Sequence, residues 1–288
     1  MTSGTSTITV QKNSAIADIP PRIFGSFVEH LGRCVYGGIY EPSHPTADEN
    51  GFRQDVINLV KELGVTCVRY PGGNFVSAYN WEDGTGPRGQ RPIRRDLAWH
   101  STETNEVGID DFYRWSKKTG TEIMLAVNMG TRGLKAALEE LEYVNGAPGT
   151  ELADRRVRNG ITEPMDIKMW CIGNEMDGPW QVGHMSPDEY AAAVDRVAHA
   201  MKLAESGLEL VACGSSSAIC QRLDPGNAAC LPKRTTISIS SPAMPTTTNV
   251  GQNRCKIIWQ VHKTCKRSSP LWRHVQTKPK MPTQAIMI

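Results

Sequence analysis

After residue 218 the sequence contains no Phe, no Tyr and no Glu, and a single acid, Asp224, stands among its last 70 residues. A packed domain draws on aromatic bulk and a surface of mixed sign, and residues 219–288 offer little of either. They do carry 11 Lys and Arg, four Cys, seven Pro and eight Thr. Nucleic-acid binding would call for clustered basic residues with stacking aromatics between them. Here the charges are scattered and only Trp259 and Trp272 are at hand, so no nucleic-acid partner is expected. Two readings remain for 219–288: an irregular, disordered basic tail, or a stretch translated out of frame just after Ala218.

Other absences narrow the class further. Apolar runs are short, so no membrane span is expected. Met1 to Val10 lacks a basic patch followed by an apolar stretch, and no secretory leader is read there. The eight Cys form no CxxC pair, which argues against a disulfide framework. Cys34, Cys67, Cys171 and Cys213 are expected to be small thiols in strands or loops, mostly buried. No His/Cys spacing matches a metal site, and HExxH, the Walker loop and GxSxG do not occur. One formal GxGxxG, Gly84 to Gly89, follows Trp81-Glu82-Asp83 instead of a strand and leads into Gln90-Arg91-Pro92 instead of a helix. It is rejected as a dinucleotide site.

The first 218 residues are different in kind, with 21 basic residues against 29 acidic ones and every Phe and Tyr of the chain. Five short apolar runs, Ile23–Val28, Thr66–Tyr70, Glu122–Asn128, Lys168–Ile172 and Leu208–Cys213, read as strands buried on both faces. Four helical patterns lie between them. Gly51 to Leu63 places Phe52, Val56, Leu59 and Leu63 on one face. Asp110 to Thr119 buries Phe112 and Trp115, with Gly120 as its C-terminal cap. Leu134, Leu138 and Leu141 stripe a third. The fourth opens with a capping box, Ser186-Pro187-Asp188-Glu189, presents Tyr190, Val194, Val197 and Met201, and is ended by Gly207.

Repeated βαβ units imply a parallel sheet, either an open doubly wound sheet or an eight-stranded barrel. What separates the two is where polar residues collect, because barrel chemistry gathers at the C-terminal ends of several strands. Strand one ends in Glu29-His30, strand two runs into Pro71-Gly72-Gly73-Asn74, strand three ends at Asn128 and strand four in Gly173-Asn174-Glu175. Four successive strands deliver a carboxylate or amide to the same end, which favours the barrel. At roughly 30 residues per unit a full barrel needs about 250 residues. The fold class read here is therefore α/β, an incomplete (β/α)8 barrel of about five βα units over residues 1–218.

A Glu at the end of strand four, with Trp170 and Trp180 near in sequence, would face a partly apolar cleft. Its charged form would be disfavoured, which suits proton donation to a leaving-group oxygen. Asn174 could hydrogen-bond a substrate hydroxyl without adding charge, and Trp99 in the Trp81–His100 loop could stack on a sugar ring.

Three segments carry a family resemblance. Ile23-Phe24-Gly25-Ser26-Phe27-Val28-Glu29-His30-Leu31-Gly32, Val68-Arg69-Tyr70-Pro71-Gly72-Gly73-Asn74-Phe75 and Trp170 through Trp180 resemble the intracellular α-L-arabinofuranosidases of glycoside hydrolase family fifty-one. The match runs from about Ile8 to Ala218. It implies a retaining glycosidase on a (β/α)8 barrel with a C-terminal β-sandwich, no metal or organic cofactor, a cytoplasmic location and frequent homo-oligomers. Glu175 matches the family's acid/base. Glu29, Asn74 and Asn174 match residues that hold the arabinofuranosyl hydroxyls, and Trp99 matches an aromatic at the site mouth. The expected substrates are terminal α-L-arabinofuranosyl residues on arabinan or arabinoxylan oligosaccharides, in L-arabinose metabolism. The family's nucleophile, a Glu at the end of strand seven, and its sandwich have no counterpart in this sequence, so a chain without turnover is expected. Other sugar specificity on the same barrel, a non-catalytic sugar-binding remnant and a non-folding fragment stand as alternatives.

Overall fold

The computed structural model describes residues 17–216; the tail expected over 219–288 lies outside the described residues. Five parallel strands form one sheet in the order β1 (Ser26–Phe27), β2 (Cys67–Tyr70), β5 (Glu122–Val127), β6 (Met169–Ile172) and β7 (Glu209–Ala212). Helices cross between them: α1 (Gln54–Glu62), α2 (Ile109–Thr119), α3 (Leu134–Asn145) with α4 (Glu151–Arg158), and α5 (Pro187–Ala204). A two-stranded antiparallel pair, β3 (Arg94–Arg95) and β4 (Thr102–Glu103), stands apart within the β2–α2 connection.

The strand order follows the chain with no reversal. A doubly wound sheet reverses order at its switch point. Right-handed crossovers that always advance in one direction put every helix on the same face, which is barrel winding. The curl shows at the N-terminal rim. Arg22 donates from Nε to Glu122 at 2.6 Å and from Nη1 to Glu209 at 2.5 Å, the first residues of β5 and β7. Side chains of alternate strands share a layer inside a barrel, and one guanidinium here gathers two such strands.

The five expected strands all form, but the first is much shorter than its apolar run. Pro20 and Pro21 fix φ and remove donors, so Pro21–Phe24 turns as a short 3-10 helix and only Ser26–Phe27 joins the ladder. Ile23, Phe24 and Phe27 are exposed, not buried on both faces, because β1 has β2 as its one ladder neighbour among the described residues.

Helix α1 also departs from its expected face. Phe52 is buried ahead of the helix, against Tyr40, while Ile57 and Val60 point inward and Leu59 and Leu63 are exposed. At about 100° per residue Leu59 and Leu63 fall on the side opposite Ile57.

The remaining helices keep their expected faces more closely. Gly120 caps α2 in the left-handed region, at φ 76°. Along α3, Leu141 is buried and Leu138 half-buried, but Leu134 is exposed in the first turn. In α5 the Ser186 capping box forms and Tyr190, Val194, Val197 and Met201 are all buried. This helix stops at Ala204, three residues before Gly207.

Helix α4 has no counterpart in the apolar pattern. Its sequence is charged, and it is anchored by a buried arginine. Arg156 donates from Nη1 to Tyr143 O at 2.7 Å and from Nε to Ile161 O at 3.2 Å.

Cys67 and Cys171 are buried thiols, and burial pushes both up to about 11; Cys34 and Cys213 are half-buried. The rejected GxGxxG lies across two 3-10 turns, Trp81–Gly84 and Arg88–Gln90, and not at a strand-to-helix junction.

Candidate active site

At the C-terminal end of β1 the chain leaves the ladder through Val28, whose N–H reaches Arg69 O at 3.0 Å. The next residue, Glu29, is only 5% exposed. Its Oε1 accepts from Trp99 Nε1 at 2.8 Å and from the Phe75 backbone N–H at 3.2 Å. The turn after β2 is shaped to admit this carboxylate. Gly73 has φ 62°, and a Cβ there would stand 1.9 Å from Glu29 Oε2, so no side chain larger than hydrogen fits. Burial pushes the Glu29 carboxyl above its ordinary range, against the hydrogen bonds of Trp99 and of the Phe75 and Asn74 backbone.

Trp99 is held from both sides. Asp96, buried, accepts from the Trp99 backbone N–H at 3.0 Å and from Ala98 N–H at 2.9 Å, while the indole nitrogen is fixed by Glu29. Trp99 remains 38% exposed, and an anchored, partly open indole is a surface on which a sugar ring can stack.

Glu175 follows β6 in an unusual backbone state. Its φ is 46°, a region that costs a non-glycine residue about 1–3 kcal/mol and collects at functional sites. Half-buried, it accepts at Oε2 from Trp180 Nε1 at 3.2 Å. Of the two tryptophans expected near it, Trp180 is the one that makes contact. Trp170 is fully buried in the core and donates to Ile167 O at 2.8 Å.

Between Glu29 and Glu175 run two asparagines. Asn174 Oδ1 accepts from Arg69 Nη1 at 2.9 Å, and Asn174 Nδ2 donates to Asn74 Oδ1 at 3.2 Å. Gln181 Nε2 donates to the same Asn74 oxygen. The structure thus joins Glu29 to Trp99 and to the Asn74 backbone, and Asn74 to Asn174, whose neighbour in sequence is Glu175. Asn128, at the end of the third expected strand, serves its own turn instead: Nδ2 donates to Tyr79 O and Thr131 Oγ1, both at 2.8 Å, and Oδ1 accepts from Thr131 N–H at 2.9 Å. His30 faces inward, with Nδ1 2.9 Å from Glu103, Nε2 3.3 Å from the Tyr70 hydroxyl, and the ring stacked on Phe75 at 4.3 Å.

Arg69, Gln181 and Glu103 were not singled out from the sequence. Arg69 left a signal, a charge in the otherwise uncharged strand Cys67-Val68-Arg69-Tyr70. Gln181 and Glu103 left none, since Gln181 comes from a loop and Glu103 from the two-residue strand β4, too short to show a pattern.

Comparison with known proteins gives the family. The family model described as the alpha-L-arabinofuranosidase 1 domain matches residues 59–237, running past Ala218. An intracellular exo-alpha-(1->5)-L-arabinofuranosidase of Bifidobacterium longum is 88% identical over 203 residues, 70% of this chain and 36% of the relative. An exo-alpha-(1->6)-L-arabinofuranosidase of the same organism is 60% identical over 213 residues, 74% of this chain and 41% of the relative. A solved family 51 alpha-L-arabinofuranosidase from Bifidobacterium longum superposes with a TM-score of 0.70 at 89% identity, over 70% of this chain and 40% of that one. The chain therefore spans about two-fifths of the length of these relatives. It is a member of the alpha-L-arabinofuranosidase 1 domain family, and its parallel sheet is that of the barrel domain in the solved relative.

Proposed function

We propose that this chain carries the sugar-holding and proton-donating half of a retaining α-L-arabinofuranosidase site. The observation that carries the reading is Glu175, placed in a left-handed backbone state at a strand end and hydrogen-bonded by Trp180, beside amides linked toward the buried Glu29. Glu175 serves as acid/base. Glu29, Asn74 and Asn174 hold the hydroxyls of a terminal α-L-arabinofuranosyl residue, and Trp99 closes one side of its ring.

In the complete reaction Glu175 gives its proton to the glycosidic oxygen while a carboxylate attacks the anomeric carbon. The C–O bond breaks, the aglycone leaves as an alcohol, and a covalent glycosyl-enzyme forms. Glu175, now a carboxylate, takes a proton from water as that water's oxygen displaces the enzyme carboxylate and releases arabinose. Retention needs two carboxyl groups about 5–5.5 Å apart. Glu29 is taken up by Trp99 and the Phe75 backbone, and Asp177 by Ser215 Oγ at 2.6 Å and Ser216 N–H at 2.8 Å. No Glu follows residue 218. Neither Glu29 nor Asp177 is free to attack, so no nucleophile is assigned within residues 1–288, and these residues are proposed to bind sugar without turnover.

An intracellular setting is proposed from the names of the relatives; arabinan- or arabinoxylan-derived oligosaccharides as ligands and homo-oligomeric assembly are proposed from the family resemblance alone. The test is nitrophenol release from nitrophenyl α-L-arabinofuranoside by the purified 288-residue protein, with calorimetric titration of L-arabinose alongside. Binding without release supports the proposal. Release abolished by Glu175→Ala overturns the missing-nucleophile part, and absence of both binding and release overturns the sugar site.

A further inference from the structure

An asparagine side chain has nearly the same shape whichever way its amide faces, so the direction of a chain of amides must be set by a group with only one hydrogen-bonding role. Arg69 is such a group, since a guanidinium has five N–H donors and no acceptor. Its Nη1 lies 2.9 Å from Asn174, and that side chain must turn its oxygen toward it. Asn174 Nδ2 then points the other way and donates to Asn74 Oδ1 at 3.2 Å. At the far end Ser77, fully buried, donates from Oγ to Gln181 Oε1 at 2.7 Å. Gln181, 5% exposed, turns its Nε2 to the same Asn74 oxygen. Both lone pairs of Asn74 Oδ1 are occupied. Its Nδ2 has no acceptor among the described residues, on a half-buried side chain in the turn after β2.

We propose that Arg69 is a positioning residue that fixes the hydrogen-bond direction of this cleft, passed through Asn174 and Asn74 to Gln181, so that Asn74 always offers the sugar an N–H. The ligand oxygen facing Asn74 is then an acceptor, and its own proton points elsewhere. The ligand half of this inference rests on the sugar-site reading above; the amide direction does not.

Two measurements test the halves separately. The first is hydrogen exchange of side-chain amides by NMR on the ¹⁵N-labelled 288-residue chain. The Asn174 and Gln181 NH2 groups are expected to be protected and the Asn74 NH2 group to exchange freely. Arg69→Lys keeps a donor-only group and preserves this pattern. Arg69→Gln, which can present either amide end, lowers Asn174 protection by about tenfold, the worth of roughly one hydrogen bond. Should Arg69→Gln not fold, Gln181→Met removes the other donor to Asn74: with Arg69 in place Asn174 keeps its direction and its protection and the Asn74 NH2 group still exchanges freely, whereas loss of Asn174 protection or gain of Asn74 protection overturns the proposal. Equal Asn174 protection in the Lys and Gln variants, or Asn74 protected in the unmodified chain, overturns the proposal.

The second measurement is calorimetric titration with mono-deoxy and mono-fluoro L-arabinofuranosides. For the hydroxyl facing Asn74, fluorine still accepts, so the fluoro sugar binds better than the deoxy sugar. Asn74→Asp reverses the order. An unreversed order overturns the ligand half. The expected amide pattern with no furanoside bound overturns the sugar-site reading and the ligand half with it, and leaves the role of Arg69 standing.

Discussion

Trp99 Nε1 donates to Glu29 Oε1 at 2.8 Å, joining a loop to a strand end 70 positions earlier. The bond does two things at once. It supports a carboxyl group that burial has pushed up, and it sets the plane of the indole at the cleft mouth. Trp99→Phe keeps the ring and removes the donor. Losing one hydrogen bond to a buried carboxyl group should cost about 1–3 kcal/mol. The expected outcome is about a tenfold or greater weakening of L-arabinose binding by calorimetry, with the melting temperature lowered as well.

Gly73→Ala tests the close approach of the β2 turn to Glu29. The new Cβ would lie 1.9 Å from Glu29 Oε2 in a backbone state of φ 62°. Either the turn or the carboxyl must move. Urea denaturation should show a loss of about 2 kcal/mol or more, from strain in the left-handed region together with overpacking, and sugar binding should fall with it.

Glu140 on α3 is 4% exposed, and burial pushes its carboxyl well above the ordinary range. The folded state holds its proton at pH values where the unfolded chain has released it, so stability falls as pH rises above the usual carboxylate value toward the folded one. Glu140→Gln removes this dependence. Thermal melts should show little difference between the two proteins near pH 4 and an advantage for Glu140→Gln near pH 8. Each kcal/mol regained raises the midpoint by about 2–4 °C.

Glu103 behaves in the opposite sense. Burial alone would raise it, but hydrogen bonds from His30, Tyr36 and the Asn105 backbone outweigh that and hold it below the usual range. Its contribution is present above the unfolded carboxylate value and is lost as pH falls through the folded one. Glu103→Gln should destabilise the chain by about 1–3 kcal/mol at pH 7 and by much less near pH 3, measured by urea denaturation at both. Because Glu103 ends β4, in the loop that carries Trp99, indole fluorescence should report a looser Trp99 in the same variant.

Local order set much of this fold, and it was legible in the sequence. Five apolar runs alternating with amphipathic stretches specify parallel βα units, since strand and helix periods are properties of neighbouring residues. Ser186 with Glu189, and Gly120 after Thr119, act within one turn of their own helices. Glu29, Asn74, Asn128, Asn174 and Glu175 could be noted as polar strand ends because barrel winding brings every strand end to the same rim, while the roles expected of Glu29 and Asn74 came from the family resemblance. Tertiary structure decided the rest. Pro20 and Pro21 cut β1 short of its apolar run, and packing against Tyr40 drew Phe52 out of the α1 stripe. Helix α4 depends on Arg156 reaching the carbonyl groups of Tyr143 and Ile161, which no apolar period encodes. The direction of the cleft amides depends on Arg69 meeting Asn174 across 105 residues, and on Gln181 meeting Asn74 across 107. Such pairs leave no trace in spacing, because what unites them is curvature of the sheet and not proximity along the chain.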